Sequence, residues 1–189
     1  MNFIYRMKYS IRDFYILYAD RSDLLEKAQK VLRPLPEGCE LVRLTKENKD
    51  HYSCHWNMNQ ILSDEVDEAY AIVDLNNEIV AYHHGTYRGK NSMFFQVKNC
   101  DYEHTEIMVD EKFRRKGLAV YLLYNAIKGL SLKNIDGYTV GTMIKPDNIP
   151  SIRLHELIGF KIKRRVRLFH KAIVKDGRFS YINFPHYNI

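Results

Sequence analysis

Ile107-Met108-Val109-Asp110-Glu111-Lys112-Phe113-Arg114-Arg115-Lys116-Gly117-Leu118-Ala119-Val120 reads as a strand end, a short loop and a helix start. Residues 103–109 alternate as a strand should. Residues 115–130 predict a helix, because Ala119, Leu122, Leu123, Ala126, Ile127 and Leu130 step by three and four onto one face. The first turn of a helix carries backbone N–H groups with no intrahelical partner, at the positive end of the dipole, which makes an anion site. Gly117 lets a ligand approach the backbone with no Cβ in the way, and Ala119 keeps the next turn low. Arg114, Arg115 and Lys116 place cations where the dipole prefers acids. That costs a few tenths of a kcal/mol unless an anion binds there. A solvated basic turn before a core helix is the alternative reading of the same residues.

The flanking sequence sets this unit in one sheet. Residues 23–32 predict a helix capped by Ser22, and Arg33-Pro34-Leu35-Pro36-Glu37-Gly38 is a loop. Residues 39–44 alternate as a strand and 46–62 read as mostly helical. Residues 69–75 and 79–84 form a hairpin about Asn76-Asn77-Glu78, with 94–97 extending the sheet. Residues 138–144 predict a strand and 151–158 a helix stopped by Gly159. Residues 160–173 and 179–184 predict a last hairpin turning at Asp176-Gly177. This order gives an α+β (mixed α/β) fold in a single domain: a central, mostly antiparallel sheet with splayed parallel strands, flanked by helices. Residues 1–38 are expected as an N-terminal extension of strand and helix packed on or near a core of 39–189. Neither GxGxxG nor GxxxxGK[ST] occurs, so the common nucleotide folds lack support.

Composition narrows the function. The 189 residues suit one domain, and 46% apolar with 28% charged residues is a globular balance. Lys and Arg number 29 against 23 Asp and Glu, a net charge of +6, which tolerates anionic partners without specifying nucleic acid. No recognition helix or base-stacking motif is evident, so nucleic acid is not expected as a partner. Cys39, Cys54 and Cys100 form no CxxC, which fits a reducing compartment. The longest clean apolar run, Phe14-Tyr15-Ile16-Leu17-Tyr18-Ala19, is far short of the roughly 20 residues of a spanning helix. Arg6, Lys8 and Arg12 interrupt what a signal peptide would keep apolar, so a cytoplasmic protein without stable membrane insertion is expected. His51, Cys54 and His55, and separately His83 and His84, lack a third ligand at a suitable spacing, so no metal is expected. Lys161, Lys163, Arg165 and Arg167 alternate on one strand face. They read as a solvated surface or as a basic wall for a phosphorylated acceptor.

A second motif gives the anion site a context. Asn148-Ile149-Pro150-Ser151-Ile152-Arg153-Leu154-His155-Glu156-Leu157-Ile158-Gly159-Phe160 resembles the second signature of the GNAT superfamily of acyl-CoA-dependent N-acetyltransferases. Arg114, Gly117 and Ala119, with Val109 five residues upstream, resemble the first. The resemblance covers roughly residues 40–184. It implies acetyl-CoA as co-substrate. The backbone of Ile107, Met108 and Val109 would pair with the pantetheine amides. The N–H groups of Arg115, Lys116, Gly117, Leu118, Ala119 and Val120 would hold the diphosphate beside Arg114. Asn148 and Ser151 would lie at the cofactor, Asn148 on the pantetheine arm and Ser151 one turn before His155, where it could orient that ring; alternatively Asn148 simply caps its helix. The thioester would lie between strands 103–109 and 138–144.

The chemistry so implied is direct transfer of acetyl to a primary amine. At pH 7 only about one lysine-like amine in 2,500 is neutral, so a base is needed. Glu103, six residues before Val109 where some relatives carry a glutamate, is the nominee, with Glu106 and then His104 behind it. By alternation Glu103 would share a face with Thr105, Ile107 and Val109. Family members often have a tyrosine acid where this chain has His155. A partly protonated imidazole there would supply a proton to the leaving sulfur, or His155 would only fill space and another of the 14 tyrosines would serve as the acid. No cysteine falls in the motifs, against a covalent intermediate. The expected acceptor is a small amine or amino sugar. A protein or peptide amine, or a non-catalytic acyl-CoA-binding module, is the alternative, and a homodimer is allowed.

Overall fold

A computed structural model describes residues 6–63, 66–88, 100–130, 138–175, 178–183 and 187–188. The expected strand at 94–97 and the turn at Asp176-Gly177 lie outside the described residues. The strands are β1 (Arg6–Asp20), β2 (Glu40–Arg43), β3 (Glu68–Val73), β4 (Ile79–Tyr87), β5 (Tyr102–Val109), β6 (Thr139–Ile144), β7 (Lys161–Lys175), β8 (Arg178–Asn183) and β9 (Tyr187–Asn188). The helices are α1 (Arg21–Val31), α2 (Met58–Ile61), α3 (Leu118–Gly129) and α4 (Ile149–Leu157). All described strands join one sheet in the order β2-β3-β4-β5-β6-β1-β7-β8, with β9 also on β7. Among the named pairs only β5 and β6 are parallel. This is the expected mixed α/β fold.

The N-terminal strand takes a central place. β1 lies antiparallel between β6 and β7, pairing Tyr15 with both Ile144 and Arg165. Phe14 and Ile16 pack with Val166 on one face, while Leu17 and Ala19 enter the main core on the other. The unbroken run 14–19 is therefore a strand buried on both sides, for which alternation is not required.

α1, α3 and α4 share the main-core face: Leu24 and Ala28 meet Leu123 and Ile127 of α3 and Ile152 of α4 in one cluster. The cap of α1 is Asp20, whose carboxylate accepts from Ser22 N at 2.9 Å, not Ser22 itself. Residues 46–62 are largely irregular, with one 3-10 turn (Lys49–His51) and the short α2. Asn48 explains part of this, because its side chain accepts from Thr45 N (2.8 Å) and donates to Arg43 O (2.9 Å), competing with a helical ladder. This segment covers the opposite sheet face, where Trp56 and Ile61 pack with Tyr82.

Candidate active site

The site opens where two parallel strands part. β5 and β6 pair only at Tyr102 with Val140 and Glu103 with Gly141. Beyond Glu103, β5 continues to Val109 with β4 on its other edge and no partner on the β6 side among the described residues. That leaves backbone donors and acceptors facing a gap, the arrangement that an extended amide-bearing ligand fills as an added strand.

At the end of β5 the chain turns through a 3-10 turn (Glu111–Phe113) into α3. The helix begins at Leu118, not at 115, because Arg115 (φ 63°) and Gly117 (φ 86°) are both left-handed. Glycine adopts that conformation freely; for arginine it costs on the order of 1 kcal/mol, a strain of the kind that collects at functional sites. Gly117 caps α3 without a side-chain hydrogen bond, and no acid stands in the first turn. A cavity of about 550 Å³ opens onto this helix start. Val109, Arg114, Arg115, Gly117, Leu118, Ala119 and Val120, all nominated above for the cofactor, are among the residues that line it. Val31, Arg33, Phe113, Pro150, Leu154 and Leu157 complete it, and no carboxylate is among its lining residues. No local signal marks Val31 or Arg33, which arrive from the end of α1 and the linker that follows it.

Other nominated residues are placed differently. The Lys116 ammonium sits 4.6 Å from the Phe113 ring centre, and Lys116 does not line the cavity. The three cations of the loop are therefore not one cluster. Ile107 packs its side chain into the core and Met108 is exposed on the other face, so only their backbones reach the gap. Asn148 caps α4, its side-chain oxygen accepting from Ser151 N at 3.3 Å. Asn148 and Ser151 lie outside the cavity lining.

A bulge alters the faces of β5. Register shifts between His84 and Gly85, so that His84 opposes Glu106 while Gly85 opposes His104, leaving Thr105 as the extra residue. Opposed residues share a face. Glu103, opposite Thr86, thus lies with Glu106 and Met108, whereas His104 joins Ile107 and Val109 on the α3 side. This reverses the simple alternation expected for Glu103. On the Glu103 face, Glu106 Oε2 accepts from the Tyr82 hydroxyl (2.8 Å) and from His84 Nε2 (3.2 Å). These hydrogen bonds, His84 first, hold the Glu106 carboxyl below the ordinary range. Trp56 stands edge-on to Tyr82 at 5.1 Å and His55 lies against Trp56 at 3.9 Å, so the 46–62 segment packs on the tyrosine that donates to this carboxylate. Glu103 itself is 3% exposed at the vertex of the gap, and Glu106 is the more open.

On the α3 side, His83, His104 and His155 form a stacked file with ring centres 4.7 and 5.2 Å apart. His155, 1% exposed, has Nδ1 at 2.7 Å from the Ser151 carbonyl oxygen, which only accepts, so Nδ1 carries the proton and Nε2 is a bare lone pair. Burial lowers its pKa to about 4. The expectation of a partly protonated imidazole giving a proton to sulfur thereby loses its premise: His155 is neutral at pH 7, and its one N–H is engaged.

The basic strand face is also broken by a bulge. Ile16 opposes Arg164 and Leu17 opposes Ile162, leaving Lys163 extra. Arg165 and Arg167 share a face and both grip Asp13, with Arg167 Nε at 2.7 Å, whereas Lys161 is paired on the other side. Asp13 is pulled down to about 2, first by the Arg167 hydrogen bond. The four cations do not make one wall. Among the described residues no three His, Cys, Asp or Glu side chains are grouped to hold a metal ion, and no helix is long and apolar enough to cross a membrane.

Residues 35–160 match the model of the Acetyltransferase (GNAT) family. The chain is 27% identical over 141 residues to the N-terminal acetyltransferase B complex catalytic subunit NAA20 of Arabidopsis thaliana, covering 73% of this chain and 76% of that protein. In fold it is similar to a tandem GNAT protein from the clavulanic acid biosynthesis pathway (TM-score 0.60, 14% identity), over 87% of this chain and 54% of that one. It is likewise similar to an acetyltransferase of the GNAT family from Novosphingobium aromaticivorans (TM-score 0.53, 15% identity), over 86% of this chain and 65% of the other. The chain thus spans about half the length of the first of these solved chains.

Proposed function

Because the chain belongs to the GNAT acetyltransferase family and is an acetyl-CoA-dependent acyltransferase, we propose that it moves acetyl directly to a primary amine delivered to the Glu103–Glu106 face of β5. The observation that carries this reading is the pairing of two features on one strand. β5 ends in an acid-free cavity at the start of α3, with Glu103 at the point where it parts from β6 and Glu106 on the splayed stretch beyond. The left-handed Gly117 and the uncapped N–H groups after it suit a diphosphate. The free edge of β5 from His104 to Val109 suits the amides of the pantetheine arm. Bound there, acetyl-CoA supplies the activated acyl group.

The protein's own groups then have distinct tasks. Glu106, already stabilised as an anion by Tyr82 and His84, attracts the incoming ammonium but is a weak base. Glu103, at the vertex where β5 and β6 part, takes the proton as nitrogen attacks. A β5 backbone N–H facing the gap donates to the developing oxyanion. His155 shapes the gap as a neutral wall. The aromatic pair of Trp56 and Tyr82 suits a small amine or amino sugar. The likeness to NAA20, named as the catalytic subunit of an N-terminal acetyltransferase, favours a second acceptor, a peptide α-amine. Thiol release from acetyl-CoA, measured over small amines, amino sugars and peptides, tests the reading. Turnover with one class is expected, lost by at least a hundredfold in Glu103→Gln. Cofactor binding without turnover on any amine contradicts it.

A further inference from the structure

We infer that Arg33, carried by the linker between α1 and β2, is a ligand of the cofactor's diphosphate; the inference rests on the cofactor reading above. Arg33 lies far in sequence from both motifs, yet it lines the same cavity as Arg114 and Arg115. Its aliphatic stem crosses the residue that caps α3: a Cβ placed on Gly117 would stand 3.3 Å from Arg33 Cβ and from Arg33 Cδ. The guanidinium is therefore brought to the end of α3 whose first amides are free.

Two features make this a held position. Arg33 follows α1 by two residues, and α1 is locked to α3 through Leu24 and Ala28 against Leu123 and Ile127. Pro34 restricts the backbone of the residue before it to extended conformations. Charge points the same way. Arg114 has Glu111 at 3.7 Å, whereas Arg33 has no carboxylate within ion-pair distance among the described residues, and the cavity lining contains none. A planar guanidinium fork matches two phosphate oxygens, which an ammonium cannot do. The contact with Gly117 assigns it to the diphosphate rather than to the ribose 3′-phosphate.

Calorimetric titration of CoA and of dephospho-CoA into wild type, Arg33→Ala and Arg33→Lys tests the assignment. Wild type is expected to bind both ligands. Arg33→Ala should weaken both by the same factor, about tenfold, as befits one charge-assisted contact. Arg33→Lys should recover only part of the loss. The unliganded melting temperature should not move, because the Arg33 side chain is exposed. Equal affinity of Arg33→Ala and wild type overturns the inference while leaving the cofactor reading intact. A loss for CoA but not for dephospho-CoA overturns the diphosphate assignment. No binding by wild type removes the cofactor reading itself.

Discussion

Glu106 and Glu103 stand three residues apart on one strand, yet their surroundings give them different work. Glu106 accepts two hydrogen bonds that favour its charged form. Removing that charge should therefore show in acceptor binding: Glu106→Gln should raise the KM for the amine about tenfold or more with kcat changed far less, read from initial rates. Were kcat to collapse with KM unchanged, Glu106 would be the base instead. Gly117 makes a different kind of contribution, since any Cβ there meets both an unfavourable φ and the Arg33 stem. Gly117→Ala should cost roughly 1 kcal/mol of stability, measured by urea unfolding, and should also weaken CoA binding. Unchanged affinity would mean that the helix start is not approached closely by the ligand.

At the scale of elements, the bulge in β5 and the histidine file are the features that local sequence conceals. The strand end at Val109 and the apolar stripe of α3 are local signals and so legible in residues 107–130, whereas the left-handed Arg115 and Gly117 that delay the helix to Leu118 are not. The placement of Glu103 is not legible either, because the bulge at Thr105 arises from how β4 pairs with β5. Gly85 belongs to that pairing: a Cβ on it would lie 2.2 Å from the Tyr102 hydroxyl oxygen and 2.5 Å from the Glu103 carbonyl oxygen. Gly85→Ala should destabilise by about 1–3 kcal/mol through overpacking and disturb Glu103 with it. The file was equally hidden, since His83, His104 and His155 lie on β4, β5 and α4. Burial lowers all three pKa values, His83 to about 3 and His155 to about 4. Well above pH 6.5, from about pH 8 upward, neither the folded nor the unfolded chain protonates them, so they add no pH dependence there. Below 6.5 the unfolded chain takes up protons that the folded chain refuses, so stability falls as pH falls toward 4. The slope approaches about 1.4 kcal/mol per pH unit for each histidine. Urea midpoints should drop steadily from pH 7 to pH 5, and His155→Phe should flatten that slope. A flat profile in wild type would show that the file is solvated.

For the whole molecule, the N-terminal segment decides how the two halves of the sheet meet. β1 bridges β6 to β7, and α1 brings Val31 and Arg33 to the cavity. The run 14–19 shows in sequence only as a short apolar stretch; its burial on both faces, and the strands it joins, come from the sheet around it. Removing residues 1–20 should abolish cooperative unfolding, seen as loss of a sigmoidal urea transition, because two strands lose their shared partner. A shortened chain that unfolds cooperatively would make the strand an accessory. Cofactor binding as proposed depends on the free amides that open α3. Hydrogen exchange of the 189-residue protein with and without acetyl-CoA reads them directly. Slowed exchange is predicted at residues 115–120 and along the open edge of β5 at 104–109. Saturating ligand with unchanged exchange at 115–120 would contradict the account.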